Sequence, residues 1–94
     1  MIQSTVTISN RLGLHARASA KLTKLVSGYR CDVFLSRNGR RVNAKSIMGV
    51  MMLAAGLGAE VEIETDGDDE QAALSAIVAL IEDKFGEEDR KSVV

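Results

Sequence analysis

The apolar spacing of this chain switches repeatedly between two residues and three to four, and that switching restricts its fold more than any other feature. Ile2, Val6 and Ile8 stand among Ser and Thr, the pattern of a half-buried strand. From Ala16 the period lengthens. Ala18, Leu22, Leu25 and Val26 share one helical face, with Lys21 and Lys24 elsewhere and Gly28 as a stop, which predicts a helix over 16–27. Cys31, Val33 and Leu35 then alternate with Asp32, Phe34 and Ser36 as a second strand. Asn38-Gly39 tolerates the positive φ of a type I′ hairpin turn, so Arg40 to Asn43 returns as a third strand with an exposed edge.

Lys45 to Leu53 reads as a short helix with Ser46 as N-cap, ended by Gly56 and Gly58. Gly49 inside it costs roughly 1 kcal/mol against Ala, so this helix depends on tertiary packing. Glu60 to Asp66 alternates strictly, with Val61, Ile63 and Thr65 inward. Leu74, Ile77, Val78, Ile81 and Phe85 form the apolar face of a closing helix over about 69–85, and the polar tail from Gly86 is expected to fray. The order βαββαβα predicts an α+β open-faced β-sandwich, a four-stranded antiparallel sheet with three helices on one face.

No Pro and no repeat interrupts the 94 residues, so 1–94 is expected as one domain. Its three aromatics leave the core to aliphatic side chains. No apolar run approaches ~18 residues, and no signal peptide is evident, so membrane insertion is not expected. The single Cys31 cannot form an internal disulfide, and cytoplasmic residence is the expectation. Residues 1–59 hold nine Lys/Arg against one acid, a charge of +8, and residues 60–94 hold three against twelve, a charge of −9. This asymmetry either follows the solvated surface of each half or marks a basic face that attracts acidic partners.

The chain has one histidine, in Gly13-Leu14-His15-Ala16-Arg17. Gly13 permits unusual backbone angles beside it, and a helix entrance offers unpaired N–H groups and a positive dipole end. These bind anions, and Arg17 adds a planar, permanently charged fork suited to phosphate oxygens. A neutral imidazole is a nucleophile towards phosphorus. After transfer, the Ala16 and Arg17 N–H groups and the Arg17 side chain are expected to stabilise the new charge. The small residues Ala16, Ala18, Ser19 and Ala20 leave room for a partner.

The Gly13–Arg17 segment, the Lys45-Ser46-Ile47-Met48-Gly49-Val50-Met51 segment and their separation resemble the histidine-containing phosphocarrier (HPr) family of the bacterial sugar phosphotransferase system, over about residues 2–85. The resemblance implies the open-faced β-sandwich fold and an intermediate carrier without a cofactor or metal, rather than a stand-alone turnover enzyme. His15 would accept a phosphoryl group from enzyme I, charged by phosphoenolpyruvate, and pass it to enzyme IIA-type partners, with Arg17 as companion. It further implies phosphorylation of Ser46 by HPr kinase/phosphorylase, where phosphate meets the positive end of a helix and adds about −1.5 to −2 charge. Ala18 departs from the family's usual proline, which predicts a less rigid helix entrance with the chemistry retained.

One short helix cannot bury every side. Val50 and Leu53 are expected inward, and Ile47, Met48 and Met51 outward near Ala16 and Ala20, as an adaptable partner surface rimmed by Arg17, Lys24 and Lys45. The chain is expected to act as a monomer. Three other readings compete. A nucleic-acid module would use Arg37, Arg40 and Arg41 but lacks stacking aromatics. A hydrolase with His15 as base lacks a nucleophile partner. A regulatory, nitrogen-branch paralogue would signal rather than serve sugar transport.

Overall fold

The computed structural model describes residues 1–87. Its order is β1 (Ile2–Thr7), α1 (Ala16–Ser27), β2 (Asp32–Arg37), β3 (Arg40–Asn43), α2 (Ile47–Met52), β4 (Glu60–Asp66) and α3 (Glu70–Glu82), followed by a 3-10 turn at Lys84–Gly86. The strands form one antiparallel sheet in the order β1-β4-β2-β3. The strongest alternator, β4, lies in the interior of the sheet, pairing Val61 with Val6 and Ile63 with Leu35. Val61, Ile63 and Thr65 are buried, as their spacing requires. Their neighbours Glu60, Glu62 and Glu64 point to the open face.

The inward positions of β2 and β4 meet Leu22 and Val26 of α1, Val50 of α2 and Ile77 and Ile81 of α3 in one aliphatic core. Burying each such side chain is worth about 1.5–3 kcal/mol. The outer face carries the acids, and Arg41 crosses it from the edge strand β3. Its Nη2 donates to Glu64 Oε2 at 2.8 Å and its guanidinium lies 3.8 Å from the Phe34 ring centre. Hydrogen bonding to Arg41 holds the Glu64 carboxyl below the usual range. The hairpin turn adopts the expected positive φ, 52° at Asn38 and 81° at Gly39.

Three boundaries differ from the spacing-based expectation. Cys31 is buried but precedes β2, which starts at Asp32. The second helix spans Ile47–Met52, inside the expected 45–53, with Ala54 at φ 52°. The cause is tertiary: Arg37 Nη1 donates to Leu53 O and Arg40 Nη1 to Met52 O, both at 3.0 Å, supplying partners for carbonyls that a helix end leaves free. The third helix ends at Glu82 instead of continuing to 85, because Lys84 and Phe85 both turn to φ 57° and send the Phe85 side chain into the core. Of the tail expected to fray from Gly86, residues 88–94 lie outside the described residues. Gly86 N–H donates to Asp83 O at 3.0 Å and Glu87 N–H to Lys84 O at 2.9 Å.

Candidate functional site

The histidine loop is fixed before its chemistry begins. Gly13 N–H donates to Asn10 O at 3.2 Å, and Asn10 Nδ2 returns a bond to Gly13 O at 2.9 Å. Gly13 takes φ +66°, and a Cβ there would meet Ala55 O at 2.5 Å and Gly56 Cα at 2.6 Å. Only glycine meets both demands. The buried Leu14 then anchors the loop, its N–H donating to Ala55 O at 2.8 Å.

His15 follows in extended backbone (φ −76°, ψ 178°) as the N-cap of α1. Its carbonyl accepts the first helical bond from Ser19 N–H at 2.8 Å, and its ring Nδ1 accepts from Arg17 N–H at 3.3 Å. A histidine in this place does what Ser or Asp usually does at a helix start. The bond requires a lone pair on Nδ1, which is also what a nucleophile needs. The side chain is 31% exposed, open enough for a partner to reach.

Around the ring lies a concavity of about 270 Å³ lined by Leu12, His15, Arg17, Lys21, Phe85 and Glu87, among others. Arg17 is exposed at its rim, while Lys21 Nζ donates to Phe85 O at 2.7 Å. Glu87 is the group that spacing did not reveal. Its Oε1 stands 4.0 Å from His15 Nε2 and accepts from Asn10 Nδ2 at 2.9 Å. It follows the last apolar repeat of the sequence, and the left-handed turn at Lys84–Gly86 brings it back to the ring.

Ser46 caps α2 as expected, its Oγ accepting from Gly49 N–H at 3.1 Å, and it is exposed. Ile47, Met48 and Met51 are exposed beside it, with Val50 and Leu53 buried. Met52, absent from the expected surface, is also 58% exposed. Ala16, Ala20 and Lys24 are exposed on α1, which packs against α2. Lys45 is half-buried, and its Nζ donates to Tyr29 O at 2.9 Å. No helix among the described residues is long and apolar enough to cross a membrane.

The comparisons with known proteins agree with this architecture. The family described as "PTS HPr component phosphorylation site" matches residues 2–83. The chain is 63% identical over 87 residues to phosphocarrier protein HPr of Cupriavidus necator, covering 93% of this chain and 98% of that protein. It is 51% identical to the HPr of Neisseria meningitidis serogroup B, with the same two coverages of 93% and 98%. A crystal structure of an HPr from Thermoanaerobacter tengcongensis superposes with a TM-score of 0.90 at 43% identity, over 94% of this chain and 99% of that one. Fold, loop motif and sequence likeness over nearly the whole length converge, and the chain belongs to the HPr phosphocarrier family of the phosphotransferase system.

Proposed function

We propose that this chain is a cytoplasmic, monomeric phosphoryl carrier in which His15 takes the group from phosphorylated enzyme I and gives it to enzyme IIA-type partners. The observation that carries the reading is the Nδ1 lone pair of His15, turned onto the start of α1 by the Arg17 N–H. A phosphoryl oxygen replacing that lone pair would meet the same N–H groups of Ala16 and Arg17, the helix dipole and the Arg17 guanidinium. The half-exposed ring keeps that stabilisation modest, so the group can leave again.

Partners would dock on Ile47, Met48 and Met51, with Ala16 and Ala20 alongside and Lys24 and Lys45 at the rim. Methionines adapt to differing surfaces, which suits a carrier with several partners. HPr kinase/phosphorylase would modify Ser46 in the middle of this surface. The added negative charge would oppose an acidic partner without unfolding α2. The guanidinium groups of Arg37, Arg40 and Arg41 are engaged within the domain, which disfavours a nucleic-acid role for the hairpin.

Incubation with phosphoenolpyruvate and enzyme I tests the reading: one acid-labile phosphoryl group should appear, and phospho-protein should discharge to an enzyme IIA. Loading without discharge would move the chain to the regulatory branch, and no loading would defeat the proposal.

A further inference from the structure

Glu87 lies beyond α3, yet the backbone carries it to the histidine. Three consecutive residues of positive φ, Lys84 (57°), Phe85 (57°) and Gly86 (69°), make the turn. The left-handed region costs a non-glycine residue roughly 1–2 kcal/mol, so the turn must be held from outside. The buried Phe85 ring and the bond from Lys21 Nζ to Phe85 O hold its middle. At its end Glu87 Oε1 accepts from Asn10 Nδ2 at 2.9 Å and from Leu12 N–H at 3.5 Å. Asn10 has no solvent exposure, and the same Nδ2 also donates to Gly13 O in the loop presenting His15. One buried amide therefore ties the carboxylate and the histidine loop together.

We propose that Glu87 is a positioning residue for His15: held by Asn10, its carboxylate faces Nε2 and keeps the proton there, leaving the lone pair on Nδ1. The inference rests on the phosphocarrier reading and deepens it. The two edges of the ring select the same tautomer. Arg17 N–H requires an acceptor at Nδ1, and a carboxylate favours an N–H at Nε2. In the transfer, the Nδ1 pair forms the bond to phosphorus as the bond from phosphorus to the donor's leaving atom breaks, its electrons returning to the donor. The Nε2 proton stays, and the ring becomes a cation that Glu87 faces. Discharge reverses this: the partner's nucleophile takes phosphorus, and the N–P electrons fall back on Nδ1. At 4.0 Å the contact is longer than a hydrogen bond, so the carboxylate orients the ring electrostatically without locking it.

The test is 15N NMR of the neutral His15 ring in the unphosphorylated protein. The native chain should show the Nε2–H tautomer in excess. Glu87→Gln keeps an acceptor oxygen for Asn10 and removes the charge. It should lower the ratio of Nε2–H to Nδ1–H several-fold and slow loading of His15 about tenfold, with the melting temperature unchanged. An unchanged ratio and rate in a folded Glu87→Gln would overturn the proposal. So would a native ring predominantly in the Nδ1–H form, which needs no variant. Because the ring signature is read before any phosphoryl group is present, its failure is distinct from a failure of the native chain to be loaded.

Discussion

At the start of α1, His15 Nδ1 accepts from Arg17 N–H at 3.3 Å; at the start of α2, Ser46 Oγ accepts from Gly49 N–H at 3.1 Å. In both places the atom that caps the helix is the atom proposed to carry phosphate. Phosphorylation removes the capping lone pair but delivers anionic oxygens to the same N–H groups and dipole. The difference lies behind the cap. His15 opens a 12-residue helix that buries Ala18, Ser19, Leu22 and Val26 and is backed by Asn10, Leu14 and Glu87, whereas Ser46 opens a helix of six residues that buries Val50. A braced nucleophile suits repeated loading and discharge. An exposed hydroxyl suits a mark written by a separate enzyme. The start of α3 is a third case. Asp69 makes no cap bond there, and its carboxylate instead accepts from Arg30 N–H at 2.8 Å and Cys31 N–H at 2.9 Å.

The largest effect expected from breaking this comparison is at the brace of the first site. Gly13→Ala forces a side chain into φ +66° and onto the Ala55 carbonyl, and should cost roughly 3 kcal/mol in denaturant unfolding. Before Ser46 the chain is held by Asn43 instead, whose carbonyl accepts from Ser46 N–H at 3.1 Å and whose Oδ1 accepts from Lys45 N–H at 2.8 Å. Next, Arg17→Ala should slow phosphoryl loading about tenfold in a rapid-quench assay, with the circular dichroism spectrum unchanged, because the side chain is exposed. An unfolded Arg17→Ala would contradict its placement at the rim.

Ser46→Ala should cost about 1 kcal/mol, the usual worth of an N-cap, and abolish any acid-stable phosphate introduced by HPr kinase while leaving His15 loading intact. The smallest effect is on pH dependence. Hydrogen bonds from Arg30 N–H, then Cys31 N–H, hold the Asp69 carboxyl below the usual range. Its stabilisation is therefore present above the unfolded value of about 3.9 and lost as pH falls through the lower folded value. Asp69→Asn should flatten that acid limb in thermal melts, with Glu64 and Glu70, also lowered, supplying what remains.

Much of this was legible because spacing follows burial. The strict alternation of Glu60 to Asp66 and the Asn38-Gly39 turn placed β4 and the β2–β3 hairpin, and the lone histidine before a small-residue helix placed the site. What escaped was set by contacts distant in the chain. Nothing near Met52 shows that Arg37 and Arg40 will bond the carbonyls that end α2. Nothing near Glu87 shows that Asn10, 77 positions away, will hold it. A polar residue after the last apolar repeat reads as tail until the structure supplies its partner.

The most direct measurement is the mass of the native chain and of His15→Ala after incubation with phosphoenolpyruvate and enzyme I, before and after brief acid treatment. The native chain should gain one phosphoryl mass and lose it in acid, and His15→Ala should gain none. An acid-labile group on His15→Ala, or none on the native chain, would contradict the assignment of His15 as the carrier.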